Sequence, residues 1–124
     1  MKTFLHGIVA AGVGVLLVCG LAGIVGCKVP PTPKPINELN KSELRGRTVF
    51  QSRCGVCHRD RTDEPLHGPP LVAVFKKPIL PSGAAATDER VTATIQHGRG
   101  LMPALGDSVD PDDLKDLLAY LHSL

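Results

Sequence analysis

Four prolines within six positions, Pro30, Pro31, Pro33 and Pro35, divide this chain into two unlike parts. Proline locks φ and lacks a backbone N–H, so the run enters neither a helix interior nor a central strand and favours extended polyproline II. Before it, residues 8–25 are almost wholly apolar, and no full charge stands between Lys2 and Lys28. After it lies a more polar body with only three large rings, Phe50, Phe75 and Tyr120, and no Trp. A domain so small and so poor in large side chains buries too little surface to stand alone, and calls for a staple or a cofactor.

The apolar leader admits three readings: a cleaved secretory signal, an uncleaved transmembrane helix, or a lipoprotein signal. Its many glycines weaken the transmembrane reading, because each disfavours helix relative to Ala. The leader ends Ile24-Val25-Gly26-Cys27, similar to the bacterial lipobox, in which a peptidase cuts before a lipid-bearing Cys. Two or three acyl chains at Cys27 hold a protein on a membrane where one does not. The lipobox is the favoured reading, with the transmembrane anchor second, and all three export the body to the cell envelope. The expected organisation is a signal over residues 1–26, a lipidated Cys27 with a proline-rich tether over 27–39, and one domain over 40–124. About ten extended residues at ~3.1 Å each hold such a domain ~30 Å from its anchor.

With 21% charged and 43% apolar residues, the chain is neither disordered nor polytopic. Fourteen basic against twelve acidic residues give +2 at pH 7, which makes no case for a nucleic-acid partner.

The body shows no sustained apolar–polar alternation, and three helices are predicted instead, an all-α class. The first starts at Asn40, with Glu43 placed to complete a capping box, and runs to about Arg53. Gly46, Val49, Phe50 and Arg53 fall on one face, and Gly46 marks a close approach by another element. The second follows Thr87-Asp88-Glu89, ends before Gly98, and places Val91 and Ile95 together. The third is capped by Asp110, carries Pro111 in its first turn, and has an apolar stripe of Leu114, Leu117, Leu118 and Leu121. Residues 63–86 read as loops with one short helix at most.

The chemistry lies in Cys54-Gly55-Val56-Cys57-His58. Cysteines at i and i+3 project from one side of a helical turn. That spacing suits two thiols adding across the vinyl groups of one haem, with the adjacent His58 ligating its iron. A thioredoxin-like dithiol would follow a strand, and a structural zinc site would need a second Cys pair, which the body lacks. A disulfide across so short a loop leaves His58 unexplained. Covalent haem c is the cofactor expected.

From these residues onward the chain resembles the bacterial class I cytochromes c, small single-haem electron carriers. The resemblance spans about residues 40–124. It rests on the haem motif with Gly46 to Arg53 before it, on Gly68-Pro69-Pro70-Leu71, on Gly98-Arg99-Gly100-Leu101-Met102-Pro103-Ala104, and on Asp116 to Leu121. It implies an all-α domain wrapped around one covalent haem. It also implies that the Pro69 carbonyl accepts the His58 Nδ1 proton, that Met102 is the distal ligand, and that Gly46 and Phe50 pack on Leu117 and Tyr120 where the first and last helices cross.

Met102 is the only Met beyond the initiator, and Met sulfur opposite His is a common axial pair in electron-transfer haems. The bland alternative is a core-filling Met. His67 and His97 are expected at the surface or in local hydrogen bonds, His122 favours the C-terminal end of the last helix, and His6 lies in the leader. Residues 28–61 hold eight basic side chains against Glu38, Glu43 and Asp60, a side that would steer an acidic partner. Lys76-Lys77-Pro78 departs from many members of the family, and no contact to the haem propionates is assigned.

The expected function is single-electron transfer between membrane redox partners on a His/Met-ligated haem, without catalysis. The alternatives are a fixed haem subunit of an oxidase or dehydrogenase complex and, from another class, a haem sensor or peroxidase with a labile Met102.

Overall fold

The computed structural model describes residues 31–124. The leader and Cys27 lie outside the described residues, and no helix among the described residues is long and apolar enough to cross a membrane. Three helices form the body: α1 over Lys41–Arg53, α2 over Asp88–His97 and α3 over Pro111–His122. Short 3-10 turns at Ile36–Glu38 and Val74–Lys76 complete the regular structure. The expected all-α class is what folds.

Each helix begins where its polar cap is written. The Asn40 side chain accepts from the Glu43 N–H at 2.9 Å while Glu43 accepts from the Asn40 N–H at 2.7 Å, so the capping box is complete. Thr87 caps α2 and Asp110 caps α3, the latter with Pro111 in the first turn. Each cap satisfies an amide that the helix itself leaves unpaired. Gly98, at φ 71°, ends α2 in a conformation that β-carbon-bearing residues rarely adopt.

Helices α1 and α3 cross at Gly46. A β-carbon there would stand 1.9 Å from the Asp116 carbonyl oxygen and 2.8 Å from Tyr120 Cβ, so only glycine admits this approach. Beside the crossing, the Phe50 and Tyr120 rings meet at a tilt, with centroids 5.9 Å apart and planes at 58°. Leu117, Tyr120 and Leu124 are completely buried, and Val49, Val91, Ile95, Leu114 and Leu121 join the same core.

Arg53 shares the helical register of Gly46 and Phe50 and is exposed, and the inward face of α1 passes from Phe50 to Cys54. Leu118, on the apolar stripe of α3, is half-buried and packs against the core. The core residues Leu39, Val109 and Leu124 lie outside the helices and had no periodic pattern to announce them.

The crossing also carries an ion pair. Asp116, buried although charged, accepts from Arg45 Nη2 at 3.0 Å and from Ser42 Oγ. These partners hold its carboxyl below the usual Asp range.

Candidate functional site

Helix α1 delivers the site. Cys54 is its C-cap, with its N–H still bonded to the Phe50 carbonyl at 2.8 Å. The turn continues through Cys57 N–H and His58 N–H, which both donate to the Cys54 carbonyl, at 3.0 and 2.9 Å. Both thiols are free, Cys54 buried and Cys57 half-buried. Burial, with Cys57 adding to it, pushes the Cys54 thiol up to about 11, so before any attachment it stays protonated at neutral pH.

His58 is held from one side. Its Nδ1 lies 2.8 Å from the Pro69 carbonyl oxygen. That proline carbonyl is an acceptor only, so Nδ1 carries the proton and Nε2 keeps its lone pair for a metal. Gly68 makes the approach possible, since a β-carbon there would come within 2.5 Å of His58 Cε1. Gly68 N–H donates to the Cys57 carbonyl at 2.7 Å, and Leu71 N–H donates to the Arg59 carbonyl at 2.7 Å. Four residues of the loop are thereby stitched along the haem motif. The Gly-Pro resemblance pointed to Pro69; the role of Gly68 beside the ring was not anticipated.

Tyr120 reaches the same segment from α3. Its hydroxyl donates to Asp60 Oδ2 at 2.6 Å, two residues after His58. Burial and the Asp60 carboxylate push this hydroxyl up to about 12, with Arg61 opposing. No local pattern announces this pair, whose members lie 60 positions apart.

Met102 sits in the loop after α2. It exchanges backbone hydrogen bonds with Arg99, both at 3.0 Å, closing a tight turn around Gly100 at φ 58°. A β-carbon on Gly98 would meet the Met102 carbonyl at 2.5 Å. Leu105 and Gly106 tie the far end of the loop back to the carbonyls of Ile95 and Gln96, at 2.9 and 3.2 Å. Met102 itself is half-buried and packs against the core, as Leu71, Phe75, Leu80 and Leu105 also do. Next to it, Leu101 is fully exposed.

His67 and His97 are exposed, as expected. His122 is more engaged than a favourable helix end requires: Nε2 lies 2.7 Å from Asp88 Oδ1, and its ring stacks on Phe75 at 3.8 Å. Lys76 donates to the Leu124 carbonyl at 2.8 Å, and Lys77 pairs loosely with Asp63 at 3.4 Å. The basic surplus is partly consumed inside the fold, Arg45 by Asp116 and Lys34 by Glu43.

A helix C-terminus bearing two unbridged thiols, an imidazole oriented through Nδ1, and a glycine-framed Met loop suit a haem held by thioethers. Fold and site together suit one class, a small mono-haem c-type cytochrome that carries electrons. A family model described as cytochrome c oxidase, cbb3-type, subunit III matches residues 42–121, and the chain belongs to this cytochrome c family. It carries one covalently bound haem c.

Among known relatives, cytochrome c6 of Pyropia tenera is 28% identical over 78 residues, covering 63% of this chain and 87% of that protein. Cytochrome c6 of Gloeothece citriformis is 30% identical over 79 residues, covering 61% and 66%. Cytochrome c6 of Tetradesmus obliquus is 25% identical over 77 residues, covering 62% and 84%.

Proposed function

We propose that this cytochrome is a membrane-tethered carrier that passes single electrons between redox complexes outside the cytoplasm. Cys54 and Cys57 would hold the haem through thioethers, and His58 Nε2 and Met102 Sδ would bind its iron. The bound haem supplies a one-electron iron couple, and Met/His ligation raises its potential. Of the observations behind this reading, the 2.8 Å contact of His58 Nδ1 with the Pro69 carbonyl carries most weight. It fixes the tautomer and ring orientation and increases the basicity of the ligating nitrogen.

Attachment at Cys27 rests on the lipobox-like sequence. Mass spectrometry of the mature protein tests it: an acylated N-terminal Cys27 is expected, whereas a chain still beginning at Met1 favours the transmembrane anchor. The partners are proteins or membrane complexes that donate and accept electrons, met through small, transient contacts. The matched family's description, which names an oxidase subunit, favours a second reading, a haem subunit fixed in a complex. Purification from solubilised membranes separates the two. A carrier elutes alone, and a fixed subunit stays with its complex at high salt.

A further inference from the structure

Every polar group of Lys34, inside the proline run, is engaged by a different part of the body. Its N–H donates to the Ser123 carbonyl at 2.7 Å, at the end of α3. Its carbonyl accepts from Arg61 Nη2 at 2.7 Å, three residues beyond His58. Its ammonium bonds both oxygens of Glu43, at 2.8 and 3.1 Å, in the first turn of α1. Pro33 and Pro35 flank it, and their fixed φ lowers the entropy lost in holding it there. Beyond it, Leu39 is buried in the core, while residues 35–38 between the two are exposed. The stretch expected as a tether from 27 to 39 is thus held to the body at Lys34 and at Leu39.

We propose that Lys34 latches the end of the proline run, so that the anchored domain hangs from residues 28–33 alone and turns the edge formed by Glu43, Arg61 and Ser123 toward its attachment point. At ~3.1 Å per extended residue, six would reach ~19 Å, against the ~30 Å of a tether of about ten. The latch shortens the reach and fixes which edge of the body faces the anchor, leaving the other surfaces for partners. The statement about reach rests on the attachment at Cys27 proposed above; the latch itself does not.

Amide exchange of the haem-loaded mature protein in detergent tests the latch. The Lys34 N–H should exchange at least about tenfold more slowly than that of Thr32, as a hydrogen-bonded amide in a folded body does. Arg61→Ala should bring the two rates together while the amides of α1 stay protected. Equal rates in the unmutated protein overturn the latch. On supported bilayers, neutron reflectometry should place the body farther from the membrane in Lys34→Pro, which loses both the N–H and the ammonium, than in the unmutated chain. The same height for both overturns the short leash. A protected Lys34 amide in a protein whose Cys27 carries no lipid supports the latch and overturns the lipid attachment.

Discussion

The α-carbon of Gly46 and the backbone carbonyl of Asp116 approach so closely that one added carbon would stand 1.9 Å from the oxygen. Backbone meets backbone here, and neither side can swing away as a long side chain would. Gly46→Ala therefore has to part α1 from α3, at a cost of about 3 kcal/mol, the upper end for overpacking a core. Chemical denaturation of the haem-loaded protein checks this, with Gly55→Ala as control: its β-carbon would approach nothing closer than 3.3 Å.

The ion pair at that crossing gives a pH signature. Arg45 and Ser42 hold the Asp116 carboxyl below its ordinary value. A carboxyl with a depressed folded-state pKa contributes stability above its unfolded value and loses it as pH falls through the folded one. Below about pH 4, the unfolded Asp value, the unmutated protein should lose stability more steeply than Asp116→Asn. Denaturation midpoints of both proteins between pH 6 and about pH 2 measure the difference, and parallel curves would contradict it.

Tyr120 supplies the alkaline counterpart. Its hydroxyl is pushed up to about 12 from 10 by burial and by Asp60. A raised pKa gives stability that is full below pH 10 and is lost as pH climbs toward 12. Tyr120→Phe should remove that loss and cost ~1–2 kcal/mol at neutral pH, because Asp60 loses its donor. Thermal unfolding at pH 7 and in the alkaline range measures both.

Gly68 offers a test of the proximal geometry. Gly68→Ala would force the His58 ring off the Pro69 carbonyl, since the new carbon meets Cε1 at 2.5 Å. With that acceptor lost, His58 becomes a poorer donor to the metal, and the reduction potential should rise. Redox titration reads the shift, and NMR of the His58 Nδ1 proton reports whether its hydrogen bond is gone. An unchanged potential with the hydrogen bond lost would remove Pro69 from any part in tuning.

How far the sequence reached depends on the range of each interaction. The caps at Asn40, Thr87 and Asp110 are local chemistry, written within three residues of the amide they satisfy, and they fold as the sequence predicts. The close approach at Gly46 was legible because an interior glycine in a helix costs stability without a neighbour to justify it. Asp60 with Tyr120, and Lys34 with Ser123, join segments far apart in sequence, and nothing in either partner's neighbourhood marks the other. The hold on Lys34 and Leu39 was hidden for another reason. A proline-rich composition describes how stiff a segment is, and says nothing of what surface it meets.

The proposed bond between Met102 Sδ and the haem iron is tested most directly by the ferric absorption spectrum. The loop around Met102 is tied by its exchange with Arg99 and by Leu105 and Gly106, so the thioether should be held at neutral pH. The unmutated ferric protein should show the sulfur-to-iron charge-transfer band. Met102→Ala should lose the band and fall in potential while the haem stays attached, because the axial ligand is a main lever on potential and plays no part in the thioethers. A ferric spectrum without the band in the unmutated protein, together with rapid binding of carbon monoxide to its ferrous form, would contradict the claim.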